Sequence, residues 1–163
     1  MTRNERKFTA RYFDVFRRLG LPCEPQFDGL FDKKPTLPLQ LTKPENEHWI
    51  GIAPFARYKN KTYPANQMRE VIALLSQKEN VRIFLFGGRG EEKAVLDSWS
   101  EGLANVKSIA GTLQLHEELA LMGWLDTMIS MDSANMHLAS LAGVRVVSIW
   151  GGTSPACGFL GWH

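Results

Sequence analysis

Five short apolar runs, separated by stretches with helical periodicity, leave this chain few folds to adopt. WIGIAP (49–54), VRIFLF (81–86), VKSIA (106–110), TMISM (127–131) and RVVSIW (145–150) are rich in β-branched, aromatic and other apolar residues. Each is short enough for a strand and too short for a typical buried helix. Between them the period changes. Pro64 can open a helix through Gln77, with Met68, Val71, Ile72 and Leu75 on its inner face. Further helices are predicted over 91–100, 115–124 and 134–142, with Met122, Trp124 and Met128 in the core. This alternation of strand and helix predicts an α/β domain: a parallel sheet with helices on both faces. The chain carries no other internal repeat.

The segment before Trp49 has a different texture. Phe8, Tyr12, Val15, Phe16 and Leu19 form one stripe of a helix predicted over 4–19, which Gly20 and Pro22 stop. Arg3, Arg6, Lys7, Arg11, Arg17 and Arg18 make its other face. Residues 21–47 carry Pro22, Pro25, Pro35, Pro38 and Pro44 with little periodicity, the pattern of a linker or irregular arm.

Composition removes several functional classes. Across 163 residues, 22% charged and 44% hydrophobic content is globular and excludes disorder as a global description. A net charge of +2 argues against a dedicated nucleic-acid binder. Cys23 and Cys157 form no CxxC pair, and His48, His116, His137 and His163 fall in no metal-ligand spacing, so no metal is expected. Two lone thiols suit a reducing cytoplasm. The charged start lacks the apolar core of a signal peptide, and no apolar run approaches the roughly 18 residues of a membrane span.

In an open parallel sheet, ligands bind outside the carboxyl ends of the strands. The residues there are FARYKNK (55–61), GGRGEE (87–92), GTL (111–113), DSANMH (132–137) and GGTSP (151–155), all small or polar in an otherwise apolar sheet. Arg57, Lys59 and Lys61 cluster cations after the first strand, as a phosphate ligand would want, although a single loop lysine more often is merely solvated. On the phosphate reading, Lys61→Ala is expected to weaken diphosphate binding and to leave folding almost unchanged. GGRGEE can admit an anion at a helix start, or be a tight turn. It is not GxGxxG, because Lys93 stands at the third glycine position. Asp132 can N-cap the next helix, with Ser133 beside it and His137 one turn on; a capped helix with a half-buried histidine explains the segment equally well. GGTSP can present N–H groups to an anion or be a plain loop.

Together these motifs resemble glycosyltransferase family 9, the heptosyltransferase-like enzymes. RKFTARYFDVFRRLG (6–20) is similar to the helix leading between that family's domains, and Lys61-Thr62-Tyr63-Pro64 to its Lys-x-aromatic-Pro. FGGRGEE resembles its glycine turn followed by an acid. SMDSANMHLASLAGV resembles its Asp-Ser/Thr-Gly-x-x-His-Leu signature, and SIWGGTSP its closing Gly-x-Thr-x-Pro loop. The resemblance implies a Rossmann-like domain, one half of a two-domain GT-B enzyme, that holds a nucleotide-diphosphate sugar of ADP-heptose type without metal. It implies a division into an interdomain-type helix and proline-rich linker over 1–47 and a nucleotide-sugar-binding domain over 48–163, truncated at its carboxyl end. Lys61 would neutralise the pyrophosphate, with Arg57 nearby, and Glu91 would take the ribose hydroxyls. Asp132 would face the donor sugar. Ser133, with the backbone of Ala134 and Asn135, would hold phosphate oxygens; His137 would join them, and Leu113 would lie against the base.

Ala134 replaces the family's glycine, and Ala56 and Arg57 stand where it has hydroxyls. The acceptor domain with its carboxylate base has no counterpart in this sequence, and the chain stops at Trp162-His163, so by resemblance it binds donor but transfers nothing alone. The implied partners are the nucleotide sugar and, through a further domain, a glycolipid acceptor of lipopolysaccharide or cell-envelope assembly. The implied location is the cytoplasm, at the inner face of the inner membrane. The rival reading is a non-catalytic nucleotide-binding regulatory module; a dehydrogenase-like one would want an acid where the third strand ends Ser108-Ile109-Ala110-Gly111.

Overall fold

The computed structural model describes residues 8–21, 23–24 and 26–161. Arg3, Arg6, Lys7, Pro22, Pro25, Trp162, His163 and the side chain of Phe8 lie outside the described residues. The chain forms α1 (Phe8–Arg18), β1 (His48–Ala53), α2 (Ala65–Ser76), β2 (Val81–Leu85), α3 (Glu91–Ser100), β3 (Val106–Ser108), α4 (Leu115–Met122), β4 (Thr127–Met131), α5 (Ala134–Leu141) and β5 (Arg145–Ile149). All strand pairs are parallel, in the order β3-β2-β1-β4-β5. The expected α/β sheet with helices on both faces is the fold observed.

Period-two alternation sorts the strand residues between two layers. Trp49 and Ala53 of β1, Phe84 of β2 and Met128 of β4 face one cluster, which Leu121, Met122 and Ala139 of α4 and α5 complete. Ile52, Ile83, Leu85 and Met131 face the other, completed by Met68, Ile72, Leu96 and Trp99 of α2 and α3. Trp49 meets Phe84 edge-on with ring centroids 4.9 Å apart. Met122 and Met128 are fully buried as expected, whereas Trp124 is only half-buried.

Among the described residues, element boundaries differ from the sequence reading by at most two residues. Pro64 does not start α2 from within; it is the N-cap, with φ −53° and ψ 124°, and its carbonyl accepts from the Met68 N–H. α4 ends before Gly123 and Trp124 because the Trp124 indole turns away to donate to the Pro35 carbonyl at 2.7 Å.

The proline-rich segment is pinned to the domain. Leu37 and Leu41 pack on the first cluster, and Lys34 donates to the Gly123 carbonyl at 2.7 Å. Lys43 reaches the Trp124 carbonyl at 3.0 Å and the Asp126 carboxylate at 2.7 Å. That carboxylate also accepts the Trp49 N–H at 2.7 Å, so the arm is tied to the first residues of β1. α1 is different. Tyr12, Val15, Phe16 and Leu19 stand 45–68% exposed, so the domain does not cover its apolar stripe.

Gly51 sits mid-strand in β1, paired with Phe84 on one side and Met128 on the other. A Cβ there would lie 2.5 Å from both Leu125 Cδ1 and Met128 Sδ. Gly51→Ala is therefore expected to destabilise the domain by about 1–3 kcal/mol through overpacking. Urea unfolding measures this; an unchanged midpoint would mean that the core yields at no cost.

Candidate functional site

Connections from β1 run outward through β2 to β3, then return across the sheet to β4 and on to β5. The strand order thus reverses between β1 and β4, the position at which parallel sheets leave a crevice for ligands. The loop after β1 and the turn after β4 meet there. Lys59–Lys61 form a single 3₁₀ turn, closed by the Lys61 N–H on the Tyr58 carbonyl at 2.9 Å. The next turn is anchored to β4 by a Tyr63 N–H contact to the Met131 sulfur at 3.3 Å. Lys61 is thereby carried over the carboxyl end of β4.

Its ammonium donates to Asp132 Oδ2 at 2.6 Å. The Thr153 hydroxyl, from the loop after β5, donates to the same oxygen at 2.6 Å. Asp132 is 8% exposed. Burial pushes its carboxyl up, but the Lys61 and Thr153 hydrogen bonds and the charges of Lys61 and His137 outweigh that. Its proton affinity ends below the ordinary aspartate range, and it is a carboxylate at neutral pH. Two consequences depart from the sequence reading. Lys61 is no solvated loop lysine, its side chain being only 22% exposed. Asp132 is no helix cap either: Ser133 holds the N-cap position of α5, and no side chain caps that end. The Ser133 hydroxyl is shared with Ser130 Oγ at 3.2 Å.

The other residues singled out from sequence are distributed around this pair. Ala134 and Asn135 open α5, and His137 is exposed one turn on. Glu91, the first residue of α3, lines a cavity of about 550 Å³ with Phe55, Lys59, Thr62 and Tyr63. Glu92, not Glu91, folds back to accept the Gly88 N–H at 2.6 Å. Arg57 is exposed and lies over the Tyr58 ring at 5.7 Å. Leu113 is 5% exposed, within the cluster that α4 and α5 cover. Among the described residues, no group of three or more His, Cys, Asp or Glu side chains could hold a metal ion.

Thr153 and Asn60 are the residues that sequence reasoning left out. The glycines of GGTSP serve contact between loops. Gly152 gives its N–H to the Asn60 carbonyl at 2.6 Å rather than to an anion, and a Cβ on Gly151 would lie 2.4 Å from that carbonyl. A hydroxyl following Gly-Gly beside the β4 terminus was the available signal, and only the strand order reveals that it faces Asp132.

Lys61→Ala would leave a buried carboxylate with Thr153 alone. A stability loss of about 1–3 kcal/mol at pH 7 is expected. The depressed proton affinity of Asp132 means that this contribution is present above the unfolded aspartate value and lost as pH falls through the folded one. The gap between wild type and variant should therefore close below about pH 4. Urea unfolding at both pH values checks this, and equal stability at pH 7 would return Lys61 to the solvent.

The sequence pattern of glycosyltransferase family 9 (heptosyltransferase) matches residues 3–157. Among solved structures, E. coli heptosyltransferase WaaC with ADP is similar at TM-score 0.75 and 20% identity, over 98% of this chain and 49% of that one. The family 9 glycosyl transferase from Veillonella parvula gives TM-score 0.75 and 19% identity, over 96% and 47%. WaaC with ADP-2-deoxy-2-fluoro heptose gives 0.66 and 22%, over 86% and 43%. This chain thus spans about half the length of the structures it resembles. No curated protein sequence matches it. With the pattern matched over nearly its whole length, the chain belongs to glycosyltransferase family 9.

Proposed function

We propose that this chain is the donor-binding half of an inverting, heptosyltransferase-like glycosyltransferase acting in lipopolysaccharide or cell-envelope glycan assembly. The carrying observation is the Lys61–Asp132 pair at the point where the strand order reverses. A cation and a carboxylate side by side match a ligand that joins a diphosphate to a polyhydroxylated sugar. Family membership and the ADP and ADP-sugar named with the similar WaaC structures support the reading.

Lys61 takes the diphosphate, and the uncapped amino end of α5, at Ser133, Ala134 and Asn135, supplies N–H groups and a partial positive charge for its oxygens. Asp132 accepts sugar hydroxyls, and His137 lies at the same edge. Glu91 receives the ribose in the cavity it lines with Thr62 and Tyr63, and Arg57, on the same loop after β1, adds a further cation for the donor. Leu113 is the residue proposed against the base, its small exposed part being what is offered. These groups bind and orient the donor, and Lys61 with the α5 dipole stabilises charge on the departing diphosphate, an electrostatic contribution that needs no metal ion. Residues 1–47 serve as an interdomain-type helix and linker, and 48–163 as the donor domain. A glycolipid acceptor and its base belong to a further domain, at the cytoplasmic face of the inner membrane. No helix among the described residues is long and apolar enough to cross a membrane.

ADP is expected to bind more tightly than AMP in calorimetry with chelator present. Lys61→Ala should weaken ADP by roughly 1.5 kcal/mol, the low end for a hydrogen bond to a charged group, because Lys61 first leaves Asp132. Equal affinities for ADP and AMP, or strict dependence on magnesium or manganese, would defeat the reading.

A further inference from the structure

We propose that Thr153 is a positioning residue that holds the Asp132 carboxylate for the donor sugar once Lys61 has turned to the diphosphate. This rests on the donor-binding reading of the site. In the structure, Lys61 and Thr153 both donate to Oδ2 of Asp132. Among the described residues, no hydrogen bond is made to Oδ1, which leaves that oxygen to accept a ligand hydroxyl.

Lys61 has two claims on it. It sits on a flexible stem, and its ammonium is the group a diphosphate would draw away. When it moves, the 8%-exposed carboxylate at the end of β4 keeps one fixed partner, the Thr153 hydroxyl. At 2.6 Å this is a charge-assisted O–H···O⁻ bond, short and strongly directional. Threonine suits the task because its branched side chain is stiff about the Cα–Cβ bond.

The backbone that carries the hydroxyl is fixed as well. The Gly152 N–H is bonded to the Asn60 carbonyl at 2.6 Å, and Gly151 lies so close to that carbonyl that a Cβ would meet it at 2.4 Å. The loop after β5 is therefore strapped to the residue that precedes Lys61. Asp132 is gripped from one side by a mobile cation and from the other by a hydroxyl on an anchored loop. The cation serves the phosphates; the hydroxyl sets where the carboxylate points.

The test compares Thr153→Val, which keeps the shape and removes the hydroxyl, with Thr153→Ser, which keeps the hydroxyl. Calorimetry measures ADP-heptose and ADP on each variant and on wild type. Thr153→Val should lose about tenfold in ADP-heptose affinity while ADP stays within about twofold, and Thr153→Ser should recover most of the loss. An unchanged ratio of the two affinities in Thr153→Val, or a Thr153→Ser that behaves like Thr153→Val, overturns the inference, since a loop-stabilising role would move both ligands alike. Carbon-13 NMR of the Asp132 carboxyl gives a readout free of ligand: its titration midpoint should rise in Thr153→Val and stay near wild type in Thr153→Ser. If wild type binds neither nucleotide, the donor reading fails, and an Asp132 midpoint that ignores Thr153→Val separately shows that the hydroxyl does not hold the carboxylate. Should Thr153→Val fail to fold, Thr153→Ala set against Thr153→Ser makes the same comparison.

Discussion

A carboxylate at the buried end of β4 cannot stand alone. Burial of an ionised aspartate costs several kcal/mol unless hydrogen bonds and an opposite charge compensate. Asp132 receives both, from Lys61 and Thr153, and these come from the loops after β1 and β5. One residue just past the end of β4 thus ties together the loops on either side. The Gly152–Asn60 bond closes the same arrangement from above, so three loops share one anchor.

This explains why glycine is needed where it occurs after β5. The φ of Gly151 is unremarkable, and its need is for space: a side chain would collide with the backbone of Asn60. Gly111 shows the other need, with φ +62° and a Cβ position only 2.7 Å from Arg89 Cγ. Both glycines let loops approach at the carboxyl edge of the sheet, where the sequence is polar and the layers beneath are apolar.

The sheet was legible in the sequence because each strand alternates between two helical layers, and because helical stretches of period 3.6 separate the strands. Lys61 and Asp132 were legible as candidates for the same reason, since both follow strands. Their pairing was not. Seventy-one positions separate them, and only the order β1-β4 makes them neighbours. The N-cap reading of Asp132 failed on a competition: its carboxylate has stronger partners in a lysine and a threonine than in the amides of α5. Trp124 and the arm over 34–43 were missed by the same blindness to distant contacts, for their bonds run to each other across more than eighty residues.

The pairing also bears on how such a site would work. Lys61 bound to Asp132 is a cation held ready at a cost to neither group, since each neutralises the other until a stronger anion arrives. A diphosphate carries more negative charge than one carboxylate, and it meets the partial positive charge of the α5 amino end as well. Coulomb attraction grows with charge and with exclusion of water, so in the proposed donor complex exchange of the lysine from Asp132 to diphosphate would run downhill. Asp132 would then lose its charge partner just as the sugar hydroxyls of the proposed donor came within reach. On the proposed donor-binding reading, a donor that brings both groups would offset that loss with fixed sugar hydroxyls, whereas with a bare diphosphate the place of the sugar stays open and water solvates the carboxylate. On that same reading, preference for the complete nucleotide sugar would thus be built into the ion pair itself, with Thr153 keeping the carboxylate in register during the exchange.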